Sequence, residues 1–204
     1  MNNNAIVSKD TKVFLFDMGN VVVKGIEINE KIAEHLGVSL QQFELDYHHW
    51  IHPLMEGEVS SELYWRHAEK VFGKKIEEDL LEKFFNPYLN IEMVSTIAKL
   101  RMQGYNVVCA SNTYESHWEI LRDMDALSLF DRLYPSHEVG LSKPATAYFE
   151  HILAQEGVLA HEAYFVDDSI EHIESARSIG IPALHYAGPS ASLELKRVFE
   201  PLFG

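Results

Sequence analysis

The hydrophobic pattern near the start of the chain predicts a buried strand that ends in a carboxylate. Residues 13–16 form an unbroken apolar run, Val-Phe-Leu-Phe, and Asp17 and Gly19 follow it. An apolar run without alternation is typical of a strand covered on both faces, as in the parallel sheets of α/β proteins. Ligands of such sheets bind at the carboxyl ends of the strands. Asp17 is therefore expected at a functional edge.

After this strand the pattern changes to helical spacing for the next seventy or so residues. Four helices are predicted from their glycine, proline and capping signals: 28–36, Ser39 to Pro53, 60–72 and 76–85. No strand is predicted among them. Four helices exceed what an ordinary crossover connection needs. We therefore predict an inserted helical cap domain at residues 25–91 and a core domain formed by residues 1–24 and 92–204.

From residue 91 onward, helical and strand-like segments alternate. Further strands are predicted at residues 105–110, near 132–134, at 163–166 and at 183–186. Helices are expected between them, and one more is expected after residue 190. Alternation of this kind predicts an α/β fold, in which a parallel sheet carries helices on both faces.

Polar residues follow three of the predicted strands and are expected to meet at one edge of the sheet. They are Asp17, Ser111 and the pair Asp167-Asp168. Neighbouring carboxylates repel one another unless a cation lies between them, and oxygen ligands suit Mg²⁺. The hydroxyl of Ser111 and the ammonium of Lys143 are suitable donors for a phosphate. An aspartate that only caps a turn would explain Asp17, but not the other members of this group.

Charge and composition restrict the partners. The 204 residues include 31 acidic and 17 basic ones, and the formal net charge is −14. A nucleic-acid partner is not expected, because phosphate backbones are bound by clustered Lys and Arg. The single Cys109 excludes an intramolecular disulfide, and no signal peptide or membrane-spanning run is visible. We therefore expect a soluble cytoplasmic protein without a membrane partner; the sequence does not indicate its oligomeric state.

Four short motifs, in this order, resemble those of the haloacid dehalogenase-like (HAD) hydrolases. They are Asp-Met-Gly-Asn-Val at 17–21, Ser-Asn-Thr at 111–113, Gly-Leu-Ser-Lys-Pro at 140–144 and Phe-Val-Asp-Asp-Ser at 165–169. The resemblance covers nearly the whole chain, including a helical insertion after the first motif. Within the family, the first two motifs are most similar to those of bacterial phosphatases that act on α-D-glucose 1-phosphate.

The resemblance implies a Rossmann-like core with an inserted four-helix cap and a Mg²⁺-dependent phosphatase activity. Asp17 would be the nucleophile that forms an aspartyl-phosphate, and Ser111, Asn112 and Lys143 would hold the phosphoryl group. The implied metal ligands are Asp17, the backbone carbonyl of Gly19, Asp167 and, in support, Asp168. The substrate would be a small phosphorylated metabolite, with a sugar phosphate favoured.

One position departs from the pattern of most phosphatases in the family. They carry a second aspartate two residues after the nucleophile, as general acid and base, where this chain has Gly19. An anomeric phosphate would depend less on a general acid, because a hemiacetal oxygen leaves more readily than an alkoxide. His137 and the histidines at 48, 49 and 52 are candidates to replace the acid, although solvated or packing roles suit them better.

Two alternatives remain open from the sequence. A haloacid dehalogenase also lacks the second aspartate and needs no metal, but the pair Asp167-Asp168 argues against it. A catalytically weak binding or regulatory protein would keep the phosphate pocket without efficient turnover.

Overall fold

The centre of the fold is a parallel five-stranded sheet, seen in a computed structural model that describes residues 7–203. The strands in chain order are β1 (Val13–Phe16), β2 (Val23–Lys24), β3 (Tyr88–Leu89), β4 (Asn106–Ser111), β5 (Arg132–Pro135), β6 (Ala163–Asp167) and β7 (Ala183–His185). The sheet order is β5-β4-β1-β6-β7, while β2 and β3 pair separately and antiparallel. The predicted α/β fold with a Rossmann-like parallel core is confirmed.

Eleven α-helices are described. They are α1 (Asn29–Leu36), α2 (Leu40–Tyr47), α3 (Ile51–Met55), α4 (Ser61–Phe72), α5 (Leu80–Phe84), α6 (Ile91–Met102), α7 (Glu115–Asp123), α8 (Ser136–Val139), α9 (Thr146–Glu156), α10 (Ile170–Ser178) and α11 (Ala191–Phe199). From α6 onward the helices alternate with the strands of the sheet as predicted, except that the four-residue α8, which was not predicted, and α9 both lie between β5 and β6.

The central strand β1 is buried on both faces. Phe14 and Phe16 belong to one apolar cluster, and Val13 and Leu15 belong to the other. This is the arrangement that an apolar run without alternation predicts. Because successive side chains point to opposite faces, helices must cover both sides of the sheet.

The register of β1 determines where the polar strand ends lie. Phe16 pairs with Cys109 of β4 and with Val166 of β6. The backbone N–H of Asp17 donates to the carbonyl of Val166 at 2.9 Å. The carboxyl ends of the three central strands therefore lie side by side at one edge.

The inserted segment, residues 25–91, contains five helices rather than the predicted four. The expectation that the second helix ends at Pro53 was wrong, because α2 ends at Tyr47 and α3 runs through Pro53. Pro53 is the third residue of α3, in the first turn of the helix, where its missing N–H breaks no helical bond. The predicted helix at 76–85 is also shorter, since Asp79 caps α5 at Leu80.

A short strand in the inserted segment was not predicted. Val23 and Lys24 pair with Leu89 and Tyr88, respectively, where the chain enters and leaves the segment. The side chain of Asn90 also donates to the carbonyl of Val21 at 2.8 Å. Two-residue strands carry too little periodicity to be recognised in a sequence.

Apolar residues of the inserted segment join the same cluster as Phe14 and Phe16. The five helices therefore pack onto one side of the core instead of forming a separate hydrophobic interior. None of the helices within residues 7–203 is long and apolar enough to cross a membrane.

Replacing Asp79 by alanine is expected to lower the free energy of unfolding by about 2 kcal/mol. Asp79 Oδ1 accepts from the N–H groups of Leu81 at 2.9 Å and Glu82 at 3.3 Å, and from the indole N–H of Trp65 at 2.8 Å. The substitution would leave these donors without their partner. Urea unfolding measures the change.

The matched control is Asp123→Ala, at an exposed aspartate that ends α7. We expect it to change stability by less than about 0.5 kcal/mol. Equal losses in the two variants would contradict a specific role for Asp79.

Candidate active site

Lys143 joins two carboxylates at the carboxyl edge of the sheet. Its Nζ lies 2.6 Å from Asp17 Oδ1 and 2.7 Å from Asp167 Oδ2. The side chains of Lys143 and Asp167 are fully buried, and that of Asp17 is nearly so. Three predicted site residues from distant parts of the sequence are thus in direct contact.

Asp167 has two further partners. The backbone N–H of Ser169 donates to its Oδ1 at 2.8 Å, and His172 Nδ1 lies 3.1 Å from both carboxylate oxygens. Sequence reasoning missed His172. The only available signal was its place in the first turn of the helix after Asp167, where a side chain can turn back toward the strand end.

Burial and charge affect these groups differently. Burial is the largest influence on Asp17 and, with the charge of Asp167, raises its pKa above the usual range, although Lys143 opposes the rise. Burial also acts to raise the pKa of Asp167, but Lys143 and His172 outweigh it and hold that pKa below the usual range. Lys143 and Asp167 therefore stay ionised as a pair near neutral pH. The ionised form of Asp17 is the one that an additional positive charge at the site would stabilise most.

The edge offers oxygen atoms that suit a divalent cation. Asp17, Asp167 and Asp168 each place one carboxylate oxygen so that the three lie within 4.8 Å of one another. A Cβ atom added at Gly19 would lie 3.8 Å from Asp17 Oδ2, so the Gly19 backbone borders the same place. Hard oxygen ligands at this spacing fit Mg²⁺. The residues expected to bind the metal therefore form a group that can hold it.

Asn112 holds the loop that carries Lys143. Its amide nitrogen donates to the carbonyl of Lys143 at 2.7 Å, and its Oδ1 accepts from the N–H of Lys143 at 2.9 Å. The amide is therefore used to position Lys143, and these bonds do not favour the substrate contact predicted for Asn112. Ser111 is buried at the end of β4.

Position 19 has an apolar neighbour. A Cβ atom added at Gly19 would lie 2.8 Å from Cδ1, the end of the Ile26 side chain, which would have to shift to admit a larger residue there. The histidines at positions 48, 49 and 52 are exposed, in agreement with the solvated role that suits them better. His137 lines a different cavity, between α3 and α7.

A cleft of about 200 Å³ lies between the strand ends and the inserted segment. Gly19 and Ser111 form part of its floor, while Tyr47, Ile51 and Met55 line it from α2 and α3. Elsewhere, the hydroxyl of Ser142 donates to Glu56 Oε1 at 2.6 Å, so the inserted segment contacts the loop that carries Lys143.

His117 of α7 connects the core with the last helix of the inserted segment. Its ring stacks on Phe85 with 3.7 Å between centroids, and its Nε2 lies 3.1 Å from the carbonyl of Leu81. Burial lowers the pKa of His117 to about 4, against the weaker opposing effects of the Leu81 hydrogen bond and the charge of Asp79. The imidazole is therefore neutral in the folded protein near pH 7.

The sequence is similar to those of known phosphatases and hydrolases. The sequence profile of the haloacid dehalogenase-like hydrolase family matches residues 11–180. A sesquiterpene phosphatase of Aspergillus oryzae is 32% identical over 108 residues, a match that covers 52% of this chain and 55% of the relative. The chain thus spans about half the length of that protein. A D-ribitol-5-phosphate phosphatase of Bacteroides thetaiotaomicron is 26% identical over 185 residues and is matched over 88% of its length, with 83% of this chain covered.

The fold is also found among solved structures. A HAD family enzyme from Bacteroides thetaiotaomicron superposes with a TM-score of 0.73 at 21% identity, covering 88% of this chain and 95% of that one. The same enzyme has been solved in complex with magnesium and inorganic phosphate, with a TM-score of 0.67 at 20% identity over 88% of this chain and 96% of that chain. At this identity the likeness establishes the shared fold.

Acidification is expected to destabilise the protein through His117. Its folded-state pKa lies near 4 and the unfolded value near 6.5, so the unfolded chain binds the proton first as pH falls. The stability that this group contributes is present above about pH 6.5 and is lost toward pH 4. Between about pH 7.5 and about pH 5 the loss should reach about 2 kcal/mol.

Urea unfolding at both pH values measures this loss, and His117→Gln should show a loss smaller by that amount. His161→Gln, at an exposed histidine, is the matched control and should follow the unsubstituted protein. The titratable groups nearest His117 are Tyr114 and Asp79, and both variants retain them. Parallel pH profiles for the two variants would show that His117 is not the group responsible.

Proposed function

The chain belongs to the haloacid dehalogenase-like hydrolases, and we propose that it hydrolyses small phosphomonoesters with Asp17 as nucleophile and Mg²⁺ as metal. The observation that carries this proposal is the buried contact of Lys143 with both Asp17 and Asp167, with Ser111 buried at the end of the neighbouring strand β4. A positive charge held among carboxylates at the end of parallel strands is suited to a transferring phosphoryl group.

The proposed reaction has two displacements at phosphorus. The Asp17 carboxylate attacks, the bond between phosphorus and the ester oxygen breaks, and an aspartyl-phosphate forms as the alcohol leaves with a proton from solvent. A water molecule then attacks the same phosphorus, the bond between phosphorus and the Asp17 oxygen breaks, and inorganic phosphate leaves while the proton of the water passes to solvent and the carboxylate is restored. Lys143 and Ser111 would stabilise the charge on the phosphoryl oxygens in both steps.

Asp17, Asp167 and the Gly19 carbonyl would hold the Mg²⁺ ion, with Asp168 in support. Bound there, Mg²⁺ supplies positive charge that offsets the carboxylates and the phosphoryl oxygens. His172 and the N–H of Ser169 orient Asp167 for this role. Asn112 is proposed as a positioning residue, since it fixes the backbone of Lys143.

Residues 25–91 are proposed to act as a lid over the reacting centre. The contact of Glu56 with Ser142 and the cleft shared with the strand ends support a closed arrangement, which would shield the reacting centre from bulk solvent and still admit the attacking water molecule. We place the enzyme in the cytoplasm, in keeping with its single, buried and unpaired Cys109.

The identity of the alcohol is the open part of the proposal. The resemblance of the motifs favours a sugar phosphate, and one relative is named for D-ribitol 5-phosphate, whereas another is named for sesquiterpenes. These leaving groups differ in polarity. Because position 19 has no acidic side chain, the proton for the leaving oxygen must come from solvent, so alkyl esters of any kind should turn over more slowly than aryl esters.

Asp17→Asn is expected to reduce hydrolysis of p-nitrophenyl phosphate at least about a thousandfold, because the amide is not a nucleophile. EDTA should abolish the activity of the unsubstituted enzyme, and added Mg²⁺ should restore it. Release of p-nitrophenol measures both effects. Asp123→Asn makes the same exchange at an exposed aspartate and should retain full activity.

The same measurements separate the alternatives. Hydrolysis that survives excess EDTA would favour the metal-independent chemistry of a dehalogenase. No turnover with Mg²⁺ would favour a phosphate-binding protein. Unchanged activity in Asp17→Asn would contradict the proposed nucleophile.

A further inference from the structure

Half of the residues that line the cleft beside the reacting centre have large apolar side chains. Eight of its sixteen lining residues are Met, Val, Ile, Leu or Phe, and none of the described lining residues has a carboxylate or a basic side chain with a fixed charge. Its lining on the side of the inserted segment includes Ile26, Ile28, Ile51, Met55 and Phe85. Whatever group extends from the phosphate into this cleft meets hydrocarbon on several sides.

The few polar side chains above the floor already have partners or carry no charge. The hydroxyl of Tyr47 donates to that of Tyr114 at 3.0 Å, and His117 is neutral and faces the carbonyl of Leu81. Of the remaining polar lining residues, only Asn29 lies away from the strand end of β4 and its turn. Away from the end of β4, a polyol would meet only Asn29 and the remaining bonding capacity of Tyr47, Tyr114 and His117, spread among apolar neighbours. Each hydroxyl left unpaired weakens binding about tenfold.

Ile26 brings hydrocarbon close to Asp17. A Cβ atom added at Gly19 would lie 2.8 Å from Cδ1 of Ile26 and 3.8 Å from Asp17 Oδ2. An alcohol that approaches Asp17 past Gly19 would therefore meet an apolar side chain.

We infer that the alcohol released by this enzyme is apolar, so that its substrates are monophosphates of hydrocarbon-like alcohols rather than of sugars or polyols. This inference rests on the proposed phosphatase function and specifies its substrate class. The cleft measures about 200 Å³. Since a dry cavity of about 150 Å³ accepts benzene, the cleft suits a group of about five to eight carbon atoms.

A matched pair of substrates tests the inference: n-pentyl phosphate and D-ribitol 5-phosphate. Both are primary esters of a five-carbon chain, and they differ only in the four hydroxyl groups. We expect kcat/KM for pentyl phosphate to exceed that for D-ribitol 5-phosphate at least about tenfold, and to rise about fourfold for each CH₂ group from ethyl to pentyl phosphate. Phosphate release in the presence of Mg²⁺ measures the rates.

The outcomes distinguish the inference from the function on which it rests. If p-nitrophenyl phosphate is hydrolysed but D-ribitol 5-phosphate is turned over as fast as pentyl phosphate, the substrate class is wrong and the phosphatase function stands. If no phosphate ester is hydrolysed with Mg²⁺, the proposed function fails and the inference falls with it.

A variant pair tests the lining itself. Met55→Gln introduces an amide of similar size into the cleft, while Met102→Gln makes the same exchange at a methionine that is 86% exposed, at the end of α6. We expect Met55→Gln to lower the preference for pentyl over ethyl phosphate about tenfold and Met102→Gln to leave it unchanged. Met55 would serve only the packing if Met55→Gln lowered kcat/KM equally for both esters. The same conclusion would follow if the variant unfolded at a lower temperature but kept its preference for pentyl phosphate.

Discussion

The site depends on one buried ammonium that lies between two carboxylates. Removing three charged groups from water costs several kcal/mol for each ion, and only close pairing compensates for that loss. Lys143 provides the pairing by contacting Asp17 and Asp167 at hydrogen-bond distance. The three side chains come from the end of β1, the loop after α8 and the end of β6. Because each of these charges is stable in the interior only when it is paired, the ion pairs hold the three segments in fixed relative positions.

The rest of the core supports that contact. The sheet order places β1 between β4 and β6, so Asp17 and Asp167 come from adjacent strands. Asn112 follows β4 on the other side and grips the backbone of Lys143 through both ends of its amide. The strands of the parallel sheet thus carry both carboxylates at their ends. Through Asn112, the sheet also fixes the position of the Lys143 ammonium. The inserted helices add the apolar side of the cleft without contributing a charge to it.

Much of this arrangement could be predicted from the sequence, because the signals were local. The apolar run before Asp17, the pair after β6 and the alternation of elements each depend on residues close together in the chain. Contacts made across the fold left no such signal. His172 and the use of Asn112 as a clamp depend on how loops approach each other, and Ile26 fills the space beside Gly19 from seven residues away. The fifth helix was missed because proline in the first turn of a helix resembles proline beyond its end.

The ribbon formed by β2 and β3 constrains how the inserted helices can be displaced. A single connecting strand would let the segment swivel about the long axis of that strand. Two antiparallel strands, hydrogen-bonded through Val23 and Leu89, remove that torsional freedom and leave flexing perpendicular to the ribbon as the soft direction. The inserted segment is therefore joined to the core at one place, and both of its ends are tied to each other there.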